Sequence, residues 1–117
     1  MNELTFKEAQ ARVDAWISKF EEGYFPPLVQ IARLVEELGE LSRSVSHATG
    51  VKKPKANEAL HSVEEEVGDL LFVLTCLANS LHISLADVFE QTMHKVDTRD
   101  TSRWTLKNRE DIHEQNA

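Results

Sequence analysis

Four stretches of this chain carry apolar residues at helical spacing, each fenced by residues that start or stop helices. The first opens at Thr5-Phe-Lys-Glu8, a capping box in which hydroxyl and carboxylate each accept from the other residue's backbone N–H. Phe6, Ala9, Val13, Trp16, Ile17 and Phe20 follow on one stripe, until Gly23 and the Pro26-Pro27 pair force a turn. The second runs from about Leu28 to His47, with Leu28, Ile31, Leu34, Val35, Leu38, Leu41 and Val45 as its stripe. A basic loop, TGVKKPKAN, separates it from a third helix that starts between Asn57 and Ser62 and runs to about Leu81. Ser62-Val-Glu-Glu65 reads as a second capping box. The fourth is announced by Ser84-Leu-Ala-Asp87 and carries a seam of Leu85, Val88, Phe89, Thr92, Met93 and Val96, and the pattern fades after Thr98. Four amphipathic helices with mostly short connections predict an all-α, four-helix bundle-like fold.

Composition narrows the class further. A chain of 117 residues with 41% hydrophobic content predicts one packed domain, and a body this small gains burial by oligomerising. The expected domain spans 1–104, with 105–117 as a polar tail. Four Gly and three Pro leave little material for the tight turns of an all-β fold. The single cysteine, Cys76, excludes an internal disulfide, and its place in LLFVLTCLA predicts a buried, inert thiol. No segment resembles a signal peptide or reaches the ~20 apolar residues of a membrane span, so the expectation is a cytoplasmic protein without membrane contact.

The formal charge of -7 argues against a nucleic-acid polymer as partner, since such binding relies on Lys and Arg facing phosphates. The charge is uneven. Residues 1–93 carry 8 basic against 15 acidic side chains, whereas 95–109 carry Lys95, Arg99, Arg103, Lys107 and Arg109 against Asp97 and Asp100. A local basic stretch on an acidic body suits a small phosphorylated ligand. Lys95 and Arg99, at i and i+4, could face phosphates together, and Arg103 could join them. Trp104 could stack on a base or could serve packing alone.

Two acidic groups carry the chemistry. Helix two has Glu36, Glu37 and Glu40, and helix three has Glu64, Glu65, Glu66 and Asp69. Glu64 and Glu65 are explained by the helix start, where negative charge favours the macrodipole. Glu66 is not. At about 100° per residue, Val63, Leu70, Val73, Leu74 and Leu77 lie within roughly -20° to +80° of it, so it sits inside the apolar arc, with Asp69 at its edge. A carboxylate there is costly unless something pairs with it. Glu37 and Glu40 fall off the arc of helix two and read as exposed, unless another helix covers that flank. Should Glu37, Glu40, Glu66 and Asp69 meet, their mutual repulsion calls for a hard divalent cation such as Mg²⁺, and for further metal or nearby Lys and Arg.

At these residues the chain resembles the MazG-like nucleotide pyrophosphohydrolases. The family's EExxE motif is matched by Glu36-Glu37-Leu-Gly-Glu40 and its ExxD motif by Glu66-Val-Gly-Asp69, followed by LLFVLTCLANSL. From GYFPPL to KVDTRDTSRW the chain is similar to the short, single-domain YpjD-type members. The resemblance implies the all-α NTP pyrophosphatase fold and Mg²⁺-dependent hydrolysis of a nucleoside triphosphate between the α and β phosphates. It also implies metal ligands at Glu37, Glu40, Glu66 and Asp69, and a homodimer or homotetramer.

Two other readings compete. A di-iron bundle needs Glu-x-x-His pairs, and Glu58-Ala-Leu-His61 and Glu110-Asp-Ile-His113 have that spacing. His61, however, lies about 140° from Glu66 on the same helix. A non-enzymatic helical adaptor would explain the seams but not Glu66.

Overall fold

The structure is a computed structural model describing residues 3–58 and 60–107. Among the described residues it contains helices and no strand, so the all-α expectation holds. Helix α1 is Phe6–Ile17, α2 is Pro27–Ala48, α3 is Val63–Ser80 and α4 is Leu85–Lys95. A π-helical turn, Val96–Asp100, and a 3₁₀ turn, Thr101–Arg103, follow. The chain forms two compact units, Met1–Leu85 and Ala86–Ala117. Among the described residues no single helix is long and apolar enough to cross a membrane.

The helix ends follow local chemistry. Thr5 Oγ1 accepts from the Glu8 N–H at 3.1 Å and Glu8 Oε1 accepts from the Thr5 N–H at 3.4 Å, completing the capping box. Helix α1 ends at Ile17, so Phe20 lies beyond it rather than on its stripe, with its ring edge-on to Trp16 at 5.0 Å. Pro27 opens α2, where its fixed φ suits a first helical residue and its missing N–H is no loss. Helix α3 starts at Val63, with the Ser62 hydroxyl accepting from the Glu65 N–H at 3.1 Å. Glu65 turns its own carboxylate to His61 Nδ1, 3.4 Å away. His82 holds a left-handed φ of 57°, turning the chain sharply after α3.

Helix α3 is the centre of the first unit, with α1 and α2 both packed on it. Its Val73, Cys76 and Ala78 form the buried apolar core. Cys76 is buried and free, as its place in the sequence predicts. Polar clamps complete the packing. Gln10 Nε2 donates to Asn79 Oδ1 at 2.9 Å and to the Ile83 carbonyl at 2.7 Å. Asn79 Nδ2 donates back to the Gln10 carbonyl and to the Tyr24 hydroxyl, which donates to Asp14 at 2.8 Å. Ser44 donates to the His61 carbonyl at 3.0 Å and so ties the entry of α3 to α2.

The face of α2 that meets α3 corrects the sequence reading. The apolar stripe is largely exposed, with Leu28 at 83%, Val35 at 65% and Leu38 at 56%. Helix α2 instead buries Gln30 and Ser44, with Leu34, Glu37 and Leu41 half-buried between them. This mixed stripe recurs every three or four residues, so it is a true helix face. Gln30 is tolerated there because its amide donates to the Phe25 carbonyl at 2.6 Å and to Ser80 at 3.2 Å. Val67, Leu71 and Leu74 of α3, and Leu81 just past its end, are also exposed, so each helix leaves an apolar stripe unpartnered beside the face it packs with.

Candidate metal centre

Packing through the Gln30–Ser44 stripe brings Glu37 against the start of α3. One oxygen each from Glu37, Glu66 and Asp69 lies within 4.8 Å of the others. Glu66 and Asp69, three residues apart, project from neighbouring positions on α3, while Glu37 comes from α2. The flank that had to be covered for Glu37 to join is thus covered by α3 itself. Glu66 is only 3% exposed, Glu37 is half-buried and Asp69 faces solvent.

Glu40 stands outside this group of three and meets Arg43 at 3.5 Å. Arg43 also reaches Glu58, which lies 3.7 Å from His47. The Glu58 carboxyl is held below the usual carboxylate range, first by the Lys55 N–H that donates to it and then by His47, Arg43 and Lys52, against a burial effect. Glu36, Glu64 and Glu65 are exposed.

Burial pushes the Glu66 carboxyl above the usual carboxylate range; His61 opposes, and the charges of Asp69, Glu40 and Glu37 push it further up. Among the described residues no donor or cation contacts its side chain. A group whose folded pKa is raised contributes its stability below the unfolded value and loses it as pH rises through the folded one. In metal-depleted protein, wild type should therefore fall behind Glu66→Gln in melting temperature as pH is raised from about 4 to 7. A difference between the two proteins that does not change with pH would contradict the electrostatic origin.

The donor set fits a hard cation: three carboxylate oxygens from two rigid helices, one of them on a residue only 3% exposed. Mg²⁺ takes such oxygen ligands at about 2.1 Å, and Glu37, Glu66 and Asp69 are the residues that would hold it.

One turn away along the same pair of helices lies a cavity of about 560 Å³. Its walls include Trp16, Phe20, Tyr24, Phe25, Arg33 and Phe72. Arg33 precedes Glu37 by one turn on α2, and Val73, also in the lining, follows Asp69 by one turn on α3. Sequence reasoning missed this cavity. Its signal was the aromatic density of Phe20, Tyr24 and Phe25 around the Pro26-Pro27 turn, of which Tyr24 and Phe25 lie beyond any helix stripe.

The remaining candidates belong to the second unit. Lys95 ends α4. Arg99 and Arg103 both pair with Asp100, at 3.1 and 3.7 Å, as exposed contacts of the kind worth about 0–1 kcal/mol. Trp104 is 75% exposed. Glu110 and His113, needed for the di-iron reading, and most of the expected polar tail lie outside the described residues.

The fold is all-α, and carboxylates from two successive helices converge beside an aromatic cavity. Residues 25–104 match the MazG nucleotide pyrophosphohydrolase domain, and the chain belongs to that family. It is 57% identical to YpjD of Bacillus subtilis (strain 168) over 107 residues, covering 92% of this chain and 96% of that protein. The crystal structure of YPJD from Bacillus subtilis matches with a TM-score of 0.75 at 56% identity, covering 84% of this chain and all 100% of that one. The Bacillus-conserved MazG protein, a nucleotide pyrophosphohydrolase, matches with a TM-score of 0.73 at 47% identity, over 87% of this chain and 99% of that one. The chain is accordingly an enzyme of the nucleotide pyrophosphohydrolase class.

Proposed function

We propose that the protein hydrolyses a nucleoside triphosphate between its α and β phosphates, with Mg²⁺ held by Glu37, Glu66 and Asp69 and with Glu40 joining when Arg43 releases it. The observation that carries this reading is Glu66, a carboxylate 3% exposed, facing two others with no protein cation on it. Bound there, Mg²⁺ would supply charge neutralisation for the phosphates and lower the pKa of a water. The helices fix the carboxylates before substrate arrives, so little reorganisation accompanies the reaction. Water oxygen bonds to the α phosphorus, and the bridging oxygen leaves with pyrophosphate. A carboxylate of the cluster accepts the water's proton. The neighbouring cavity receives the base, where the rings of Trp16, Phe20 and Phe72 offer stacking and apolar contact. For Lys95, Arg99, Arg103 and Trp104 a substrate role is carried by their spacing and residue type alone. The exposed apolar faces of α2 and α3 support a homo-oligomer, and the absence of a long apolar helix among the described residues is compatible with a cytoplasmic setting.

Asp69→Asn tests the metal reading without depending on a substrate. Mg²⁺ binds the folded site and hardly the unfolded chain, so wild type gains stability by mass action, about 2.7 kcal/mol at a hundredfold excess over the dissociation constant. The variant should lose activity and most of that gain. In chelator it should melt at or above wild type, because one repelling charge is gone and the shape is kept. A variant that is clearly weaker in chelator yet gains as much from Mg²⁺ would make Asp69 a structural residue and not a ligand.

A further inference from the structure

Within the aromatic cavity two polar side chains are already committed. The Gln30 amide donates to the Phe25 carbonyl and Ser80, and the Tyr24 hydroxyl donates to Asp14. Burial, with Asp14 as hydrogen-bond acceptor, pushes the Tyr24 phenol up to about 12, so it stays a bound, neutral hydroxyl. Arg33 is different. Its guanidinium lies 5.5 Å from the centroid of the Phe25 ring and its charge is felt at Cys76 on the cavity lining. Among the described residues it has no ion pair and no hydrogen bond. A cation stacked on an aromatic face is held in place by the ring while its N–H fork stays available.

A guanidinium has five donors and no acceptor. Set beside a base, it matches an edge with two neighbouring acceptors and mismatches one that offers a donor. The O6 and N7 of guanine are such an edge, whereas adenine presents N7 beside the N6 amino group. Glu22 also lines the cavity and carries a carboxylate, an acceptor of the kind that the N1–H and amino donors of guanine call for. The walls are aromatic, and a volume of about 560 Å³ admits a purine.

Resting on the nucleotide pyrophosphohydrolase reading above, we propose that Arg33 selects the base, and that the preferred substrates are 6-oxopurine nucleoside triphosphates, guanine above all. Arg33 is placed as a specificity-determining residue, one turn from the carboxylates and outside the reacting centre.

The test measures kcat/KM for GTP, ITP, ATP and 7-deaza-GTP with wild type and Arg33→Gln. Wild type should favour GTP and ITP over ATP by about tenfold or more, the discrimination typical of a bidentate contact. 7-Deaza-GTP, which lacks the N7 acceptor, should lose most of that advantage, a result that needs no variant to fold. Glutamine presents one donor and one acceptor, the pattern that matches adenine. In Arg33→Gln the GTP/ATP ratio should therefore fall at least about tenfold, toward or past unity. Equal losses for every nucleotide would place Arg33 on the phosphates and overturn base selection. A wild type indifferent to the base, or to N7, would overturn it as well. Both of these outcomes leave the pyrophosphohydrolase reading intact, whereas a wild type that hydrolyses none of the four defeats that reading together with this one.

Discussion

Glu66→Gln should lower Mg²⁺-dependent hydrolysis by more than about a hundredfold, beyond the ten- to hundredfold typical of losses in the shell around metal ligands. Glu64→Gln, two residues earlier, should stay close to wild type. The two residues share a helix turn, a residue type and a substitution, and differ in where they point. Glu66 is 3% exposed and faces Glu37 and Asp69. Glu64 lies exposed in the first turn of α3, where its charge favours the helix dipole. The steady-state rate of pyrophosphate release from both variants, at saturating Mg²⁺, makes the comparison. Equal activities would remove the carboxylate cluster from catalysis.

Replacing Val35 and Leu38 together by Asp should dissociate the protein and lower its melting temperature by more than about 10 °C. Both residues lie on the exposed apolar stripe of α2, at 65% and 56% exposure. Burying each against a second copy contributes about 1.5–3 kcal/mol, and in a domain of this size 1 kcal/mol shifts melting by about 4–8 °C. A stripe on α3, Val67, Leu71 and Leu74, offers the same kind of surface, and unpartnered faces of this extent mark interaction sites. Light scattering on the eluted protein should show a dimer or larger species for wild type and a monomer for the double variant. A wild type that is monomeric at micromolar concentration would contradict this account of the exposed stripes.

The helices were legible because their ends are written in local chemistry. Thr5 with Glu8, Pro27 and Ser62 act within one turn of chain, and their hydrogen bonds or fixed dihedrals need no distant partner. The inward position of Glu66 was legible for a related reason: α3 buries one apolar arc, and periodicity alone places Glu66 within it. Helix α2 defeated the same method. Periodicity assigns the core to the most apolar stripe, yet α2 packs on α3 through Gln30, Leu34, Glu37, Leu41 and Ser44 and leaves Leu28, Val35 and Leu38 outside. Gln30 and Ser44 look like surface residues in a sequence because their burial depends on Phe25, Ser80 and His61, which are up to 50 residues distant. Glu37 read as exposed for that reason. Arg33 went unnoticed because a lone arginine on a helix is ordinary until a cavity forms around it.

The most direct test of the central claim follows the reaction products. A nucleoside triphosphate is hydrolysed in ¹⁸O-labelled water, with Mg²⁺ or with chelator, and the products are resolved by ³¹P NMR and mass spectrometry. The account predicts nucleoside monophosphate and pyrophosphate in equal amounts, with the label on the monophosphate, and neither product in chelator. Nucleoside diphosphate with orthophosphate, label in the pyrophosphate, or undiminished turnover in chelator would contradict it.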